Sequence, residues 1–442
     1  LIISILYFIL FIYLLNKWSF FANKHISKKF LSLAFIFKIG ISISLFWVYS
    51  DYYPKKSMMS KEEFRDQADI FKYYDDSEII YNAFKDKPID FFKILFSVNN
   101  NNEYFYNQYY INMNHWDTPY DTNFFNDSHT IIRINALIRI ISFDNYFVHV
   151  LFFCMLSFIG LFALFKAIVD FFPKKENILK WLIFFTPSIL LWNSGILKEP
   201  ILFFSFGMIM LSIYNLSIRN NKLLDTTILI SMSIILFLIK FYVFFIFTSL
   251  IIPFIINHIK KVKYPIFSYV ISISIFILLA FNLKHASKSL DLLYLLDKKQ
   301  ESFLSESAFK NAGSYFEIQD LEPNIISITK AIPSGIYNCF TKPLPWNISS
   351  SIELPQAMEN FIVILLIIIA VFHLIKLKTY KKISSYNFLT FCLLFAISNF
   401  IIIGICTPVY GAIVRYKIIG LLFLLFSLLL LIDYQSIYKK LK

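Results

Sequence analysis

The sequence predicts an all-α polytopic integral membrane protein with about 11 transmembrane helices and two extracytoplasmic cap loops. Three observations carry that expectation. Of 442 residues, 57% are hydrophobic and 19% aromatic, against only 16% charged. The charges gather in short blocks between long apolar runs, which is the pattern of lipid-spanning helices and not of a soluble chain with charge spread along every surface helix. Most of the +13 formal charge lies in brief lysine-rich connections, the placement that the positive-inside rule describes. The same placement argues against nucleic acid as a partner, because no basic stripe with interleaved aromatics lies on a soluble stretch.

The expected spans follow from apolar runs, since roughly 20 residues at 1.5 Å each cover the hydrocarbon core. They fall at about 1–15, 30–49, 145–171, 179–193, 199–217, 226–239, 241–256, 265–283, 357–375, 387–405 and 417–432. The first run has no small-residue cleavage site behind it and reads as a retained helix. Lys17, Lys24, Lys28 and Lys29 fill the first connection, and Lys174, Lys175 and Lys180 the third. Arg219 and Lys222, then Lys260, Lys261 and Lys263, then Lys376, Lys378, Lys381 and Lys382 fill later alternate ones, with Lys439, Lys440 and Lys442 at the tail. With eleven spans and a turn at Lys240–Tyr242, all of these share the cytoplasmic face.

That count divides the chain into N-terminal transmembrane helices (1–50), an extracytoplasmic loop (51–144), a transmembrane bundle (145–283), a second extracytoplasmic loop (284–356), and C-terminal transmembrane helices with a cytoplasmic tail (357–442). Both loops are too long for connectors and carry enough Tyr, Trp, Phe and Ile to fold as caps. Around Arg133 and Arg139, the run Ile131–Ile141 reads as an amphipathic interfacial helix with its arginines snorkelling toward headgroups. Cys154 and Cys392 lie inside apolar runs. Cys339 and Cys406 fall near the outer face, where a disulfide is chemically allowed but has no support in the spacing. No Cys/His spacing fits a metal site, and no cofactor follows from the residues.

Three groups of residues could carry chemistry. In the first loop, Asp69, Tyr73 and Asp76 stand at i, i+4 and i+7 and share a helical face. A carboxylate there could act as general base toward a hydroxyl, with Asp51 as an alternative; a solvated acidic helix is the plainer reading. The stretch Trp192-Asn193-Ser194-Gly195-Ile196-Leu197-Lys198-Glu199-Pro200, with Pro187 before it, could dip into the membrane. Its Lys198–Glu199 couple would then be either functional or a structural ion pair. Lys240 and Arg415 map to outer helix ends with Tyr242 and Tyr416 close by, and with Lys198 they could hold a phosphate; lone cations at such ends also snorkel. Lys38 lies mid-helix, where a lysine must face the bundle interior or water.

The run Thr186-Pro187-Ser188 to Trp192-x-Ser194-Gly195-x-x-Lys198-Glu199 resembles a motif of polytopic membrane proteins from bacterial polysaccharide loci, described as GT-C-superfamily-like glycosyltransferases. Further matches are Ile239-Lys240-Phe241-Tyr242, where relatives often carry Arg-Pro-His after the Ile, and Lys342-Pro343-Leu344-Pro345-Trp346. Glu359-Asn360 and Gly411 to Arg415-Tyr416-Lys417 complete the set, with Asp69-x-x-x-Tyr73 as the acidic element of the first loop. The resemblance implies a bacterial inner-membrane enzyme that moves a sugar from a polyprenyl-phosphate donor to an extracytoplasmic glycan or lipid-linked acceptor. It implies Asp69 as the catalytic acid or base, donor phosphate at Lys198, Lys240 and Arg415, and support from Tyr73, Asp76, Glu199, Trp346, Glu359 and Tyr416. An O-antigen or capsule polymerase is the nearest alternative, and a lipid-linked glycan flippase a more distant one. Whether a divalent cation takes part is not written in the sequence.

Overall fold

The structure is a computed structural model that describes residues 2–57, 59–116, 127–218, 222–285, 291–309, 314–348, 350–377, 379, 383 and 385–434. Of the basic residues used above, Arg219, Lys378, Lys381, Lys382, Lys439, Lys440 and Lys442 lie outside these described residues.

The chain is a polytopic all-α membrane protein, but the expected span count is corrected. Among the described residues, seven helices are long and apolar enough to cross a bilayer: Lys28–Ser57, Tyr146–Phe171, Lys198–Ile218, Phe241–Lys260, Ile266–His285, Ser351–Lys376 and Tyr386–Cys406. Tyr410–Tyr416 and Ile418–Leu431, bent by 59°, make an eighth if the pair is one span. The other expected spans fall short for reasons of length. Ile2–Lys17 has 16 residues and Leu223–Ile239 has 17, so at 1.5 Å per residue neither covers a hydrocarbon core of about 30 Å when upright. The run at 179–193 is two pieces, Glu176–Phe185 and Pro187–Trp192, interrupted at Thr186, whose backbone is extended. The alternation that placed every lysine-rich connection on one face stood on eleven spans, and these lengths remove that support.

Two compact units make up the chain: Leu1–Ala167 with Leu190–Phe241, and Ile168–Ile189 with Tyr242–Lys442. In the first, Lys198–Ile218 and Leu223–Ile239 run antiparallel. Asn215 donates to Asp225 at one end (2.8 Å), and Lys240 meets Glu199 at the other (3.9 Å). Gly160 and Gly207 let Tyr146–Phe171 and Lys198–Ile218 touch backbone to backbone, since a Cβ on either would collide with the carbonyl of Phe203 or Gly160. Small residues at crossings are how helices approach closely in lipid, where no hydrophobic drive joins them.

The first long loop is a helical domain of this unit. Asp69–Asp86 packs on Asp127–Ser142 and on Pro88–Phe96. The arginines expected to snorkel do the opposite. Arg139, 1% exposed, donates to Ser77 Oγ (3.0 Å) and the Tyr74 carbonyl (2.7 Å) and pairs with Asp144. Arg133 donates to the Ile94 carbonyl (2.8 Å) and lies over the Trp116 ring. A guanidinium has five donors, so carbonyls and carboxylates inside the loop satisfy it better than a flexible reach to headgroups.

In the second unit, the second long loop holds the helices Leu292–Phe309 and Ile325–Thr341. The latter lies against Tyr386–Cys406 through Gly335 and Gly404, where a Cβ on Gly404 would meet the Gly335 carbonyl. Gln300 ties the loop down, donating to the Gln319 and Ile405 carbonyls and accepting from the Leu321 amide. Phe316 N–H donates to Pro408 O and Tyr410 N–H to Ser314 O, closing a short antiparallel bridge between Tyr315 and Val409. All four cysteines are buried and free, which leaves no disulfide between Cys339 and Cys406.

Candidate functional site

The first unit gathers Asp69, Tyr73, Asp76, Lys198, Glu199 and Lys240 through two neighbours that sequence reasoning did not single out, His115 and Asp127. Helical spacing aligns Asp69, Tyr73 and Asp76 on one face of Asp69–Asp86. Asp69, half-buried at its N-terminus, has Oδ1 3.9 Å from His115 Nε2. The Tyr73 ring is fully buried, 5.1 Å from the His115 ring and 5.6 Å from Lys198 Nζ. Asp76 faces inward and accepts the backbone N–H groups of Asn114 and His115, each at 2.8 Å.

These placements set the electrostatics. Burial pushes the Asp76 carboxyl up to about 6, against the pull of the two amides that favour its charged form. Its hold on consecutive amides fixes the backbone that presents His115, so Asp76 positions the imidazole. Burial drives His115 down to about 4, with Asp69 opposing and Lys198 and Lys72 assisting. The ring is therefore neutral near pH 7 and only weakly basic there. Asp51 lies elsewhere, in a π-helical turn of Lys28–Ser57, paired with Lys61 at 2.5 Å and bonded by Ser50.

Lys198 and Glu199 open the helix Lys198–Ile218 behind a tight turn, and both are buried. Lys198 Nζ reaches Asp127 Oδ1 at 2.7 Å, and Glu199 faces Lys240. Lys240 has left the helical conformation at φ −146°, which ends Leu223–Ile239 and turns its ammonium toward the site. Lys38, unassigned from sequence, holds the turn from below: its ammonium donates to the Asn193 carbonyl (2.5 Å) and Ser194 Oγ (3.3 Å). Ser157 also donates to Asn193 O (3.1 Å). Carbonyls at a broken helix end are natural acceptors for a cation that must be satisfied within the bundle.

The remaining predicted residues belong to the second unit. Arg415 lies 5.8 Å from the Tyr416 ring, and Lys299, a cation not singled out in the sequence, sits 5.9 Å from that ring and 5.1 Å from Tyr242. Glu359 accepts from the Ser188 amide (2.8 Å) and hydroxyl (2.5 Å), which caps the first turn of Pro187–Trp192. Asn360 donates to the Lys342 and Pro343 carbonyls and accepts from Lys417 at the helix bend, so Glu359-Asn360 is a bracing pair here. Trp346 is 71% exposed with its ring edge on Phe361.

Among the described residues, no group of three or more His, Cys, Asp or Glu side chains is arranged to hold a metal ion. No protein-family model matches the chain, and no curated protein and no solved structure is significantly similar to it.

Proposed function

We propose that the chain is a GT-C-like glycosyltransferase of a bacterial cytoplasmic membrane, using a polyprenyl-phosphate sugar and an extracytoplasmic glycan or lipid-linked acceptor in surface-polysaccharide assembly. The observation that carries this reading is the meeting of a half-buried carboxylate, Asp69, with a neutral imidazole and the buried Lys198 in one polar group beside membrane spans. In the reaction, an acceptor hydroxyl attacks the anomeric carbon, the bond from that carbon to the phosphate oxygen breaks, and polyprenyl phosphate departs. Asp69 takes the hydroxyl proton, with the neutral His115 ring beside it. Lys198 and Lys240 exchange their partners Asp127 and Glu199 for the leaving phosphate, stabilising negative charge where it develops. Tyr73 packs edge-on against the His115 ring and Asp76 holds that imidazole in register.

Asp69→Asn is the test, assayed on purified protein in lipid with radiolabelled polyprenyl-phosphate sugars. Transfer is expected to fall about 100-fold or more, the scale of a lost general base, while yield and thermal midpoint stay unchanged. Near-normal transfer removes Asp69 from the mechanism. Product length separates the alternatives: one added sugar supports a transferase, a ladder of repeats a polymerase, and translocation without a new glycosidic bond a flippase.

A further inference from the structure

The first loop carries a second amphipathic helix, Pro88–Phe96, that the site does not use. Its inward face is Asp90, Phe91 and Ile94, all buried. Its outward face is Ile89, Phe92 and Phe96, at i, i+3 and i+7, and these are 71%, 50% and 68% exposed. Three large apolar side chains in line on the outside of a polar loop need a cover.

The covering chemistry follows from the neighbouring helix. Asp127–Ser142 exposes Leu137, Ile140 and Ile141 in its last turns. Phe143 and Asp144 then adopt left-handed conformations (φ 51° and 57°), and the span Tyr146–Phe171 begins. Those apolar side chains are thus tethered within a few residues of the mouth of a membrane span. The N-terminal apolar helix fixes the same level, with Tyr7 Oη donating to the Ile141 carbonyl (2.8 Å) and Ser4 Oγ to Asn145 (3.0 Å). Pro88–Phe96 is tied to the same helix one turn before Leu137, where Arg133 Nε donates to the Ile94 carbonyl.

Charge points the same way. The helix's own carboxylate, Asp90, is turned inside and accepts from Tyr104 (2.7 Å) and Tyr109 (3.0 Å). Lys85 and Lys87 stand exposed at its start, against Asp86, and Lys93 follows within it. An apolar face flanked by lysines is the signature of a helix lying in the headgroup boundary.

We propose that Pro88–Phe96 is an interfacial membrane anchor, with Ile89, Phe92 and Phe96 inserted into the acyl boundary of the leaflet beside Leu137, Ile140 and Ile141. The loop then rests on lipid along two helices, which holds its site against the bilayer surface. The proposal does not depend on the sugar-transfer reading.

The test uses the full chain in lipid nanodiscs with a bimane probe on Phe92→Cys; the four native cysteines are buried. A nitroxide on a shallow acyl position should quench the probe roughly threefold or more beyond a water-soluble nitroxide, as for a side chain below the headgroups. Ile89→Cys, read the same way, covers a disturbance by the first variant. Stronger quenching from water at both positions overturns the proposal, and so does protection from both quenchers, which would mean a protein surface covers the helix.

Discussion

At the residue scale, buried titrating groups make the first loop sensitive to acid. His115 is driven down to about 4 by burial, and His129, stacked on Trp116 at 3.7 Å, to about 3. An unfolded histidine takes up its proton near 6.5, whereas these rings refuse it until far lower, so their contribution is full above 6.5 and is lost as pH falls toward 4 and below. Asp76, raised to about 6, acts in the opposite sense: its folded form keeps a proton that the unfolded chain has released, so it lowers stability as pH rises from 3.8 toward 6. Two histidines act against one aspartate between about 4 and 6, and the balance favours loss on acidification. The thermal midpoint of the loop, followed by near-UV dichroism, should drop from pH 6.5 to 4, and His129→Gln should flatten that drop. A midpoint that rises on acidification would show that Asp76 dominates.

At the element scale, close helix crossings are the sharpest constraint. At Gly160, Gly207 and Gly404 an added methyl group would strike a backbone carbonyl and not a movable side chain, whereas at Gly335 it would first meet the Ile405 side chain. Gly207→Ala and Gly404→Ala should each lose about 1–3 kcal/mol, the usual cost of overpacking, or more where the helices must part. Gly40 is the matched control, with nothing within 4 Å of its added Cβ. Gly40→Ala should be neutral or gain about 0.5–1 kcal/mol from reduced chain entropy. Thermal unfolding of the three variants in one detergent measures the contrast, and equal midpoints would refute the crossing geometry. The elements also show what the sequence could disclose. The 3.6-residue period was enough to align Asp69, Tyr73 and Asp76, since that needs only a helix. It could not reveal Lys198 on Asp127, 71 positions apart, or His115, which sits in an aperiodic loop fixed by Asp76. Arg133 and Arg139 misled because an apolar run with two arginines looks the same whether its cations turn to headgroups or to carbonyls.

At the scale of the whole molecule, hydropathy located the membrane but not the number of crossings. Seven of the expected runs are helices of spanning length, because their apolar stretches are uninterrupted. The run at 179–193 has the same character on average, yet its helix stops at Thr186, and averaging over a window hides one extended residue. The final run likewise belongs to a longer element that bends by 59° at Lys417, a residue fixed by the Cys339 carbonyl and Asn360 from outside its own helix. What the arrangement does require is that Asp69, His115 and Asp127 lie on one side of the bilayer, since they meet in one polar group. Impermeant maleimide on sealed vesicles checks this with Glu62→Cys and Gln108→Cys, both exposed positions on either side of Asp69. Both should label from the same face, in a chain that stays in the membrane pellet through an alkaline carbonate wash. Labelling from opposite faces would put a bilayer between the parts of the site, and release by carbonate would mean that the apolar helices do not span at all.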